Sequence, residues 1–325
     1  MVKEGSIVAS YSGTGAVTAP SAPSLPTVAP MARWEQVSSL AGEISSSAVQ
    51  ELLDCLSDHD PLVSWLAGVA LARTAARLQR RARLGMPVWN GQNRELTFSR
   101  LFALLCGGLE DADPQRRAAT ADALALWGYE PAVSSLVRAT RDSQPLVRAS
   151  AATALGHIGD KSAVAPLLSA LSDPSIWVRR AAADALGAIG DPRGVAALEQ
   201  TLADSQPLVR ASAVRALGHI HTARARKALG RCAQDGDSTT RWYSARGLAR
   251  IGDVGSVPIL EGLKEDDATL FGQSTSDLAT AAIEAIEKRE RGLWKRLRRT
   301  FYTIRRRFQE KSQARNAGSH GTKLE

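Results

Sequence analysis

The sequence predicts an all-α fold, a right-handed α-α superhelix of about seven helical hairpins with a 31-residue period. Three observations carry that expectation. A phrase recurs: Asp142-Ser-Gln-Pro-Leu-Val-Arg-Ala-Ser-Ala-Ala-Thr-Ala-Leu-Gly-His-Ile-Gly-Asp160 returns from Asp173 to Asp191 and again from Asp204, with looser copies at Asp111 and Asp235. Arginines recur at the same interval (Arg117, Arg148, Arg179, Arg210, Arg241), as do leucines (Leu124, Leu155, Leu186, Leu217, Leu248). A fixed period of this length marks a stack of repeated supersecondary units. Within each copy the apolar residues keep helical spacing, as in Val147, Ala151, Ala154, Leu155 and Ile158. Finally, hydrophobic residues make up 44% of the chain and aromatics only 5%. The core is therefore mostly Ala, Leu, Val and Ile, which suits closely stacked helices.

Residues 1–32 hold Pro20, Pro23, Pro26 and Pro30 among Ala, Ser, Thr and Gly. Such a composition buries too little apolar surface to order itself, so this stretch reads as a leader ahead of the array. It lacks the continuous apolar stretch of a secretory signal. The array is expected over 33–287. Its first loose copy, Asp58-His-Asp-Pro-Leu-Val-Ser-Trp, has Ser64 where the repeated arginine stands elsewhere. Extra length between this copy and Asp111 falls at 77–95. There a basic run (Arg77, Arg80, Arg81, Arg83) precedes Gly85, Pro87, Trp89 and Gly91, which reads as an extended helix end and an inserted loop.

The regular part runs from about Leu101 to Leu263. Pro114, Pro145 and Pro207 sit just inside helix starts, where a missing N–H costs nothing. Asp142, Asp173 and Asp204 precede those starts and are expected to accept from orphan helix N–H groups. Gly159 and Gly190 fall where a helix C-terminus needs a left-handed residue. A second helix follows each Gly-Asp turn, carrying Val164, Leu167, Leu168 and Leu171 in one copy. Neither helix buries its stripe alone, so neighbouring units must stack. Asp277–Ile286 reads as a last repeat helix, displaced by an insertion around Thr269–Ser276.

Residues 288–311 change character. Leu293, Leu297, Phe301, Ile304 and Phe308 share one helical face and arginines fill the other. The stretch 288–315 carries twelve Lys or Arg and two Glu, a net of +10 against +8 for the whole chain, so the rest is near −2. The high charge belongs to the tail, not the array. Residues 312–325 read as a disordered end. The three cysteines form no Cys-x-x-Cys pair, which argues against a zinc site or disulfide framework and fits a reducing, cytoplasmic setting. No apolar run reaches bilayer-spanning length.

The phrase Asp-x-x-Pro-x-Val-Arg-x-x-Ala-x-x-Ala-Leu-Gly-x-Ile-Gly-Asp resembles the short HEAT-like repeats named after phycobilisome lyases. The resemblance covers 100–265 well, and 43–76 and 277–287 loosely. It implies the fold strongly and the activity much less, because this repeat is widely reused. Proteins built from it include bilin lyases, phycobilisome degradation factors, adaptors, and deoxyhypusine hydroxylase, a di-iron enzyme whose repeats carry His-Glu pairs. This chain has no His-Glu dipeptide, which sets that last activity aside. The resemblance implies a bilin lyase or lyase subunit that handles a transient phycobilin for thioether attachment to a phycobiliprotein cysteine. The alternative is a non-enzymatic adaptor that holds a protein partner in its concave groove. The partner would be a phycobiliprotein subunit or a second HEAT-repeat subunit.

The Asp and Arg ladder itself is not a catalytic constellation. A pair found in every unit is a stacking device, whereas an active site occurs once. Function is expected where the copies differ: at the positions seven, eight, eleven and fifteen after each Asp, on a helix assigned to the concave side by analogy with HEAT solenoids. These departures, with Trp177 near its helix start, give a candidate groove of Trp177, Arg180, Asp184, Arg215, Trp242, Tyr243 and Arg246. Aromatics and Arg are favoured interface anchors. The same set suits a bilin with flat rings and propionates, and the plainer reading is that the Trp residues fill gaps between helices. His157 and His219 stand two repeats apart, too far to share a metal, and no metal ligand set or catalytic group is assigned. Cys106 and Cys232 read as small core residues. In the tail, Arg291, Lys295, Arg298, Arg299, Arg305, Arg306 and Arg307 are candidate contacts to an anionic membrane surface, to an acidic partner, or less readily to nucleic-acid phosphates. A capping helix over the end of the array is the structural alternative.

Overall fold

A computed structural model describes residues 30–41, 43–84 and 97–292. The chain forms the expected all-α solenoid. Its first helices are α1 (Pro30–Leu40), α3 (Pro61–Arg83), α5 (Pro114–Trp127), α7 (Pro145–Ile158), α9 (Ile176–Ile189), α11 (Pro207–Leu217) and α13 (Ser238–Ile251). Each is followed by a shorter partner: α2 (Ser46–Asp54), α4 (Phe98–Gly108), α6 (Val133–Ala139), α8 (Val164–Ala170), α10 (Val195–Thr201), α12 (Ala223–Cys232) and α14 (Val257–Glu261). A final helix, α15, spans 275–292. The seven hairpins and this last helix share one apolar core, from Val37 to Ile286.

The array begins earlier than composition suggests. Helix α1 starts at Pro30, inside the stretch expected to be leader, and Arg33 already belongs to the ladder. Its Nη1 donates to Asp58 Oδ2 at 2.9 Å, across the same 25-residue interval that the later rungs keep. The spacing Pro30-x-x-Arg33 matches Pro114-x-x-Arg117 and Pro145-x-x-Arg148. Residues 1–29, the inserted loop over 85–96 and the basic stretch from 293 onward lie outside the described residues.

The repeated Arg and Asp do join neighbouring units. Arg148 Nε and Nη2 donate to both carboxylate oxygens of Asp173, at 2.7 and 2.9 Å, while Nη1 donates to the carbonyls of Asp142 and Ser143. Arg117 grips Asp142, Arg179 grips Asp204 and Arg241 grips Asp266 with the same fork. Planar, bidentate charge-assisted pairing fixes orientation as well as distance. These side chains are mostly shielded from water. The Arg117 guanidinium holds the Asp142 carboxyl below its usual value, and Arg179 and Arg241 do the same for Asp204 and Asp266.

The aspartates work one step earlier than expected. Asp142, Asp173 and Asp204 accept from the N–H of Gln144, Ser175 and Gln206, the residues just ahead of their helices, not from the first helical turn. In the looser copies a second aspartate, Asp60, Asp113 or Asp237, caps the helix directly. The prolines do occupy the first turn of α5, α7 and α11. Gly159 and Gly190 adopt the left-handed conformation at φ 79° and 69°.

Among the described residues, two rungs are missing. Ser64 replaces the arginine in α3 and donates instead to the carbonyl of Leu56. Arg210 keeps its bonds to the carbonyls of Asp204 and Ser205 but makes no ion pair with Asp235. At that second break His221 stands where Gly159 stands in the clean copy, α11 ends at Leu217, and α12 begins with Thr222 capping Ala225.

The extended helix end is present, α3 running to Arg83. A cluster of Phe98, Phe102, Trp127 and Tyr129 packs beside it, with Trp127 and Tyr129 stacked at 4.6 Å and Trp127 Nε1 donating to Gln79. The insertion before α15 is a two-stranded hairpin, Thr269–Leu270 against Gln273–Ser274. Helix α15 then closes the array. Leu278, Ala279, Ala282, Ile283 and Ile286 are buried, and Arg289 donates to the carbonyls of Ala249, Arg250 and Gly252, capping the end of α13.

Candidate concave binding face

The first helices of successive units approach each other very closely, which makes theirs the short, concave side. A Cβ placed on Gly156 would lie 2.6 Å from Cα of Ala185, and one on Gly187 would lie 2.6 Å from Cα of Ala216. Helices α3, α5, α7, α9 and α11 stack directly in sequence, while the second helices touch one another sparsely. The inner surface is thus built by residues seven, eight, eleven and fifteen places after each repeat aspartate.

The row at position eleven is graded in charge. It reads Val69, Asp122, Thr153, Asp184, Arg215 and Arg246 from the first loose copy to the last. Asp184 and Arg215 neutralise each other through an ion pair. That pair lines a cavity of about 390 Å3 together with Thr153, His157, Ala181, Ala188 and His219. Beyond it the face is basic. Arg246 lies over the Trp242 ring at 5.5 Å, and Arg215 lies 5.8 Å from the centre of Tyr243. Arg250 Nη1 is 3.3 Å from His219 Nε2. Burial, then the charges of Arg250, Arg215 and Arg246, push the His219 pKa down.

The predicted groove residues separate into exposed and buried sets. Trp177 is 56% exposed and Arg246 is exposed, while Arg180, Asp184 and Arg215 are half-buried. Trp242 and Tyr243 are buried; the two rings meet edge to face at 5.1 Å. Trp242 Nε1 donates to the carbonyl of Gln273, pinning the hairpin to α13. The aromatic open to solvent there is Phe271, 79% exposed, 5.8 Å from Trp242 and held at a positive φ of 52°. A bulky residue in that conformation is costly, so the surroundings must impose it. In the tail, Arg291 pairs with Glu287. Lys295, Arg298, Arg299, Arg305, Arg306 and Arg307 lie outside the described residues. Cys232 is buried, as expected of a core residue, and Cys106 is half-buried.

Sequence reasoning missed the larger concave cavity, about 530 Å3, between α3, α5 and α7. Trp65, Leu126 and Leu146 line it, each half or more exposed, with Asp122 one turn before Leu126 on α5 and Ser150 one turn after Leu146 on α7. Trp65 stands seven places after Asp58, as Arg180 and Trp242 stand after theirs. The signal was present but lay in a copy whose pattern is loose. Leu62, Leu146, Trp177 and Leu208 share the fourth position after their aspartates and are all at least half exposed. They form an apolar rim along the start of the inner helices. Asp122 is exposed on the wall of this cavity, which α3, α5 and α7 line together. Desolvation by the protein packed around it pushes its carboxyl up to about 6 although it keeps contact with solvent, opposed by a hydrogen bond from Ser150 and the charge of His157.

HEAT repeats match the sequence at residues 102–171, 139–207 and 195–287. No curated protein matches the chain in sequence. Among solved structures, importin beta is similar with a TM-score of 0.56 at 17% identity, over 79% of this chain and 39% of that one. YIBA of Escherichia coli gives a TM-score of 0.51 at 17% identity, covering 78% and 96% of the two chains. The complex of CpcE and CpcF of phycocyanin lyase from Nostoc sp. PCC7120 gives a TM-score of 0.43 at 18% identity, over 82% and 100%. At these identities the likeness to importin beta and YIBA is one of fold. No helix among the described residues is long and apolar enough to cross a membrane.

Proposed function

The chain belongs to the HEAT-repeat family, and from that premise we propose that it is a non-enzymatic scaffold that holds a partner polypeptide along its concave face. The observation that carries this is the apolar rim of Leu62, Leu146, Trp177 and Leu208 beside a charge-graded inner row. Large apolar side chains left open in series mark an interaction surface. The charge gradient gives that surface a direction, so a bound segment has one preferred orientation. A photo-crosslinking residue placed at 146 or 208 should capture one defined partner in cells, and the same residue at Gln200 on α10 should capture none. Equal capture from all three positions, or none from the concave pair, contradicts the scaffold reading.

A second reading keeps bilin handling. The repeat phrase resembles that of the phycobilisome lyases, and exposed Arg246 and Phe271, on either side of the buried Trp242 ring, offer guanidinium and aromatic surface suited to a flat tetrapyrrole with propionates. Co-expression with a bilin pathway and a phycobiliprotein subunit separates the two. Covalent colour on the subunit that depends on this chain favours the lyase. Subunit binding without colour favours the scaffold.

A further inference from the structure

We infer that the cavity between α3, α5 and α7 receives a Lys or Arg side chain of an extended partner segment, with a bulky apolar residue beside it. Asp122 is the counter-ion, and Trp65, Leu126 and Leu146 form the apolar wall. This rests on the scaffold reading and assigns the chemistry of one end of the groove.

Four observations converge on a cationic occupant. The lining holds three aspartates, Asp58, Asp113 and Asp122, and no Lys or Arg. Asp58 is already paired with Arg33, and Asp113 is occupied in capping α5. Asp122 has no ion-pair partner among the described residues, in contrast to Asp184, whose partner Arg215 stands 31 residues on. The same step from Asp122 leads to Thr153, which brings no charge. Ser64, which lines the cavity at the ladder position, likewise brings no charge to it. Finally, Trp65 is 56% exposed and lines the same cavity as Asp122. A cation that meets both an indole ring and a carboxylate gains from both.

The apolar half of the occupant follows from Leu126 and Leu146, each 50% exposed on successive inner helices. Their burial rewards an aliphatic or aromatic neighbour of the cation. A polyanion such as nucleic acid is excluded from this end by the uncompensated carboxylate, although the basic end at Arg246 and Arg250 would accept acidic residues from the same segment.

The test uses the full chain and fluorescein-labelled peptides that differ only in alternating Arg-Leu against Glu-Leu, read by anisotropy at fixed ionic strength. The Arg-Leu peptide should bind about tenfold or more tightly than the Glu-Leu peptide, the scale of one close charge pair. Asp122→Asn, a change of charge at an open site, should abolish that preference, and Trp65→Ala should weaken Arg-Leu binding. Asp184→Asn, in the neighbouring cavity, should leave the preference intact, and thermal melting checks that each variant is folded. Equal affinity for both peptides, or an unchanged preference in folded Asp122→Asn, overturns the assignment. In that case crosslinking of a partner through position 146 would still uphold the scaffold. Loss of both peptide binding and crosslinking would remove the scaffold reading as well.

Discussion

The two central units and the units flanking them solve different problems with the same phrase. Around α7 and α9 the ladder is complete, Arg117 to Asp142, Arg148 to Asp173 and Arg179 to Asp204. Both helices end in a left-handed glycine. Much of the concave face there is small: Ala149, Thr153, Ala181 and Ala188. On either side the ladder lapses, at Ser64 and at Arg210. The inner face gains chemistry beside these lapses: Trp65 follows Ser64 on α3 with Asp122 and Leu126 on the next inner helix, and Arg246 and Arg250 stand on the inner helix after Arg210, with Phe271 beyond. Repetition secures stacking, and departures from it carry the side chains a partner would meet.

The strongest way to break this contrast is to remove a rung from the centre. Arg148→Ala leaves Asp173 shielded and without its partner, which should cost about 3 kcal/mol, the scale of breaking a buried pair. A urea melt checks this, and a loss near zero would show that the rung does not secure stacking. Acid should act the same way on all rungs together. The folded carboxyls of Asp142, Asp204 and Asp266 titrate below their ordinary 3.8 because arginine hydrogen bonds favour the charged form. Their contribution is full above about pH 4 and is lost as pH falls through the lower folded values. Melting temperature measured from pH 6 to pH 2 should therefore fall mainly below pH 4.

The next effect comes from the close approach of the inner helices. Gly156→Ala puts a methyl against the backbone of Ala185, which cannot yield as a side chain would. Overpacking of this kind should cost about 2 kcal/mol in the same melt. Arg210→Ala, at the lapsed rung, forfeits only two carbonyl contacts and should cost about 1 kcal/mol. If it matches Arg148→Ala, the difference between centre and flank disappears. Smallest of all, Trp177→Ala should change stability by less than about 0.5 kcal/mol, as for an exposed residue outside the core, while lowering partner capture from position 208.

The architecture was legible because its determinants repeat. The 31-residue period, the glycines at the helix ends and the prolines at the starts each name a local geometry, and copies reinforce one another. Arg33 escaped notice because it stands alone, after a proline-rich stretch whose composition speaks for a leader. Trp65 and Asp122 escaped for a related reason, since a loose copy hides the register that gives its side chains a face. Trp242 shows the opposite limit. Its register marked it as inner, but the hairpin at Thr269–Ser274 covers it, and nothing local to Trp242 announces a cover supplied by residues 31 places on. Phe271 takes its exposed place through a backbone conformation that its own side chain disfavours.

The most direct measurement is partner crosslinking through position 146 in a chain whose departures are erased. Trp65→Ala, Asp122→Thr, Trp177→Leu and Arg246→Thr together restore what the Asp142 copy holds at those positions. With the ladder and the rim leucines untouched, this chain should remain folded, and crosslinking should fall well below that of the unaltered chain. Full crosslinking in the erased chain would contradict the assignment of recognition to the departures.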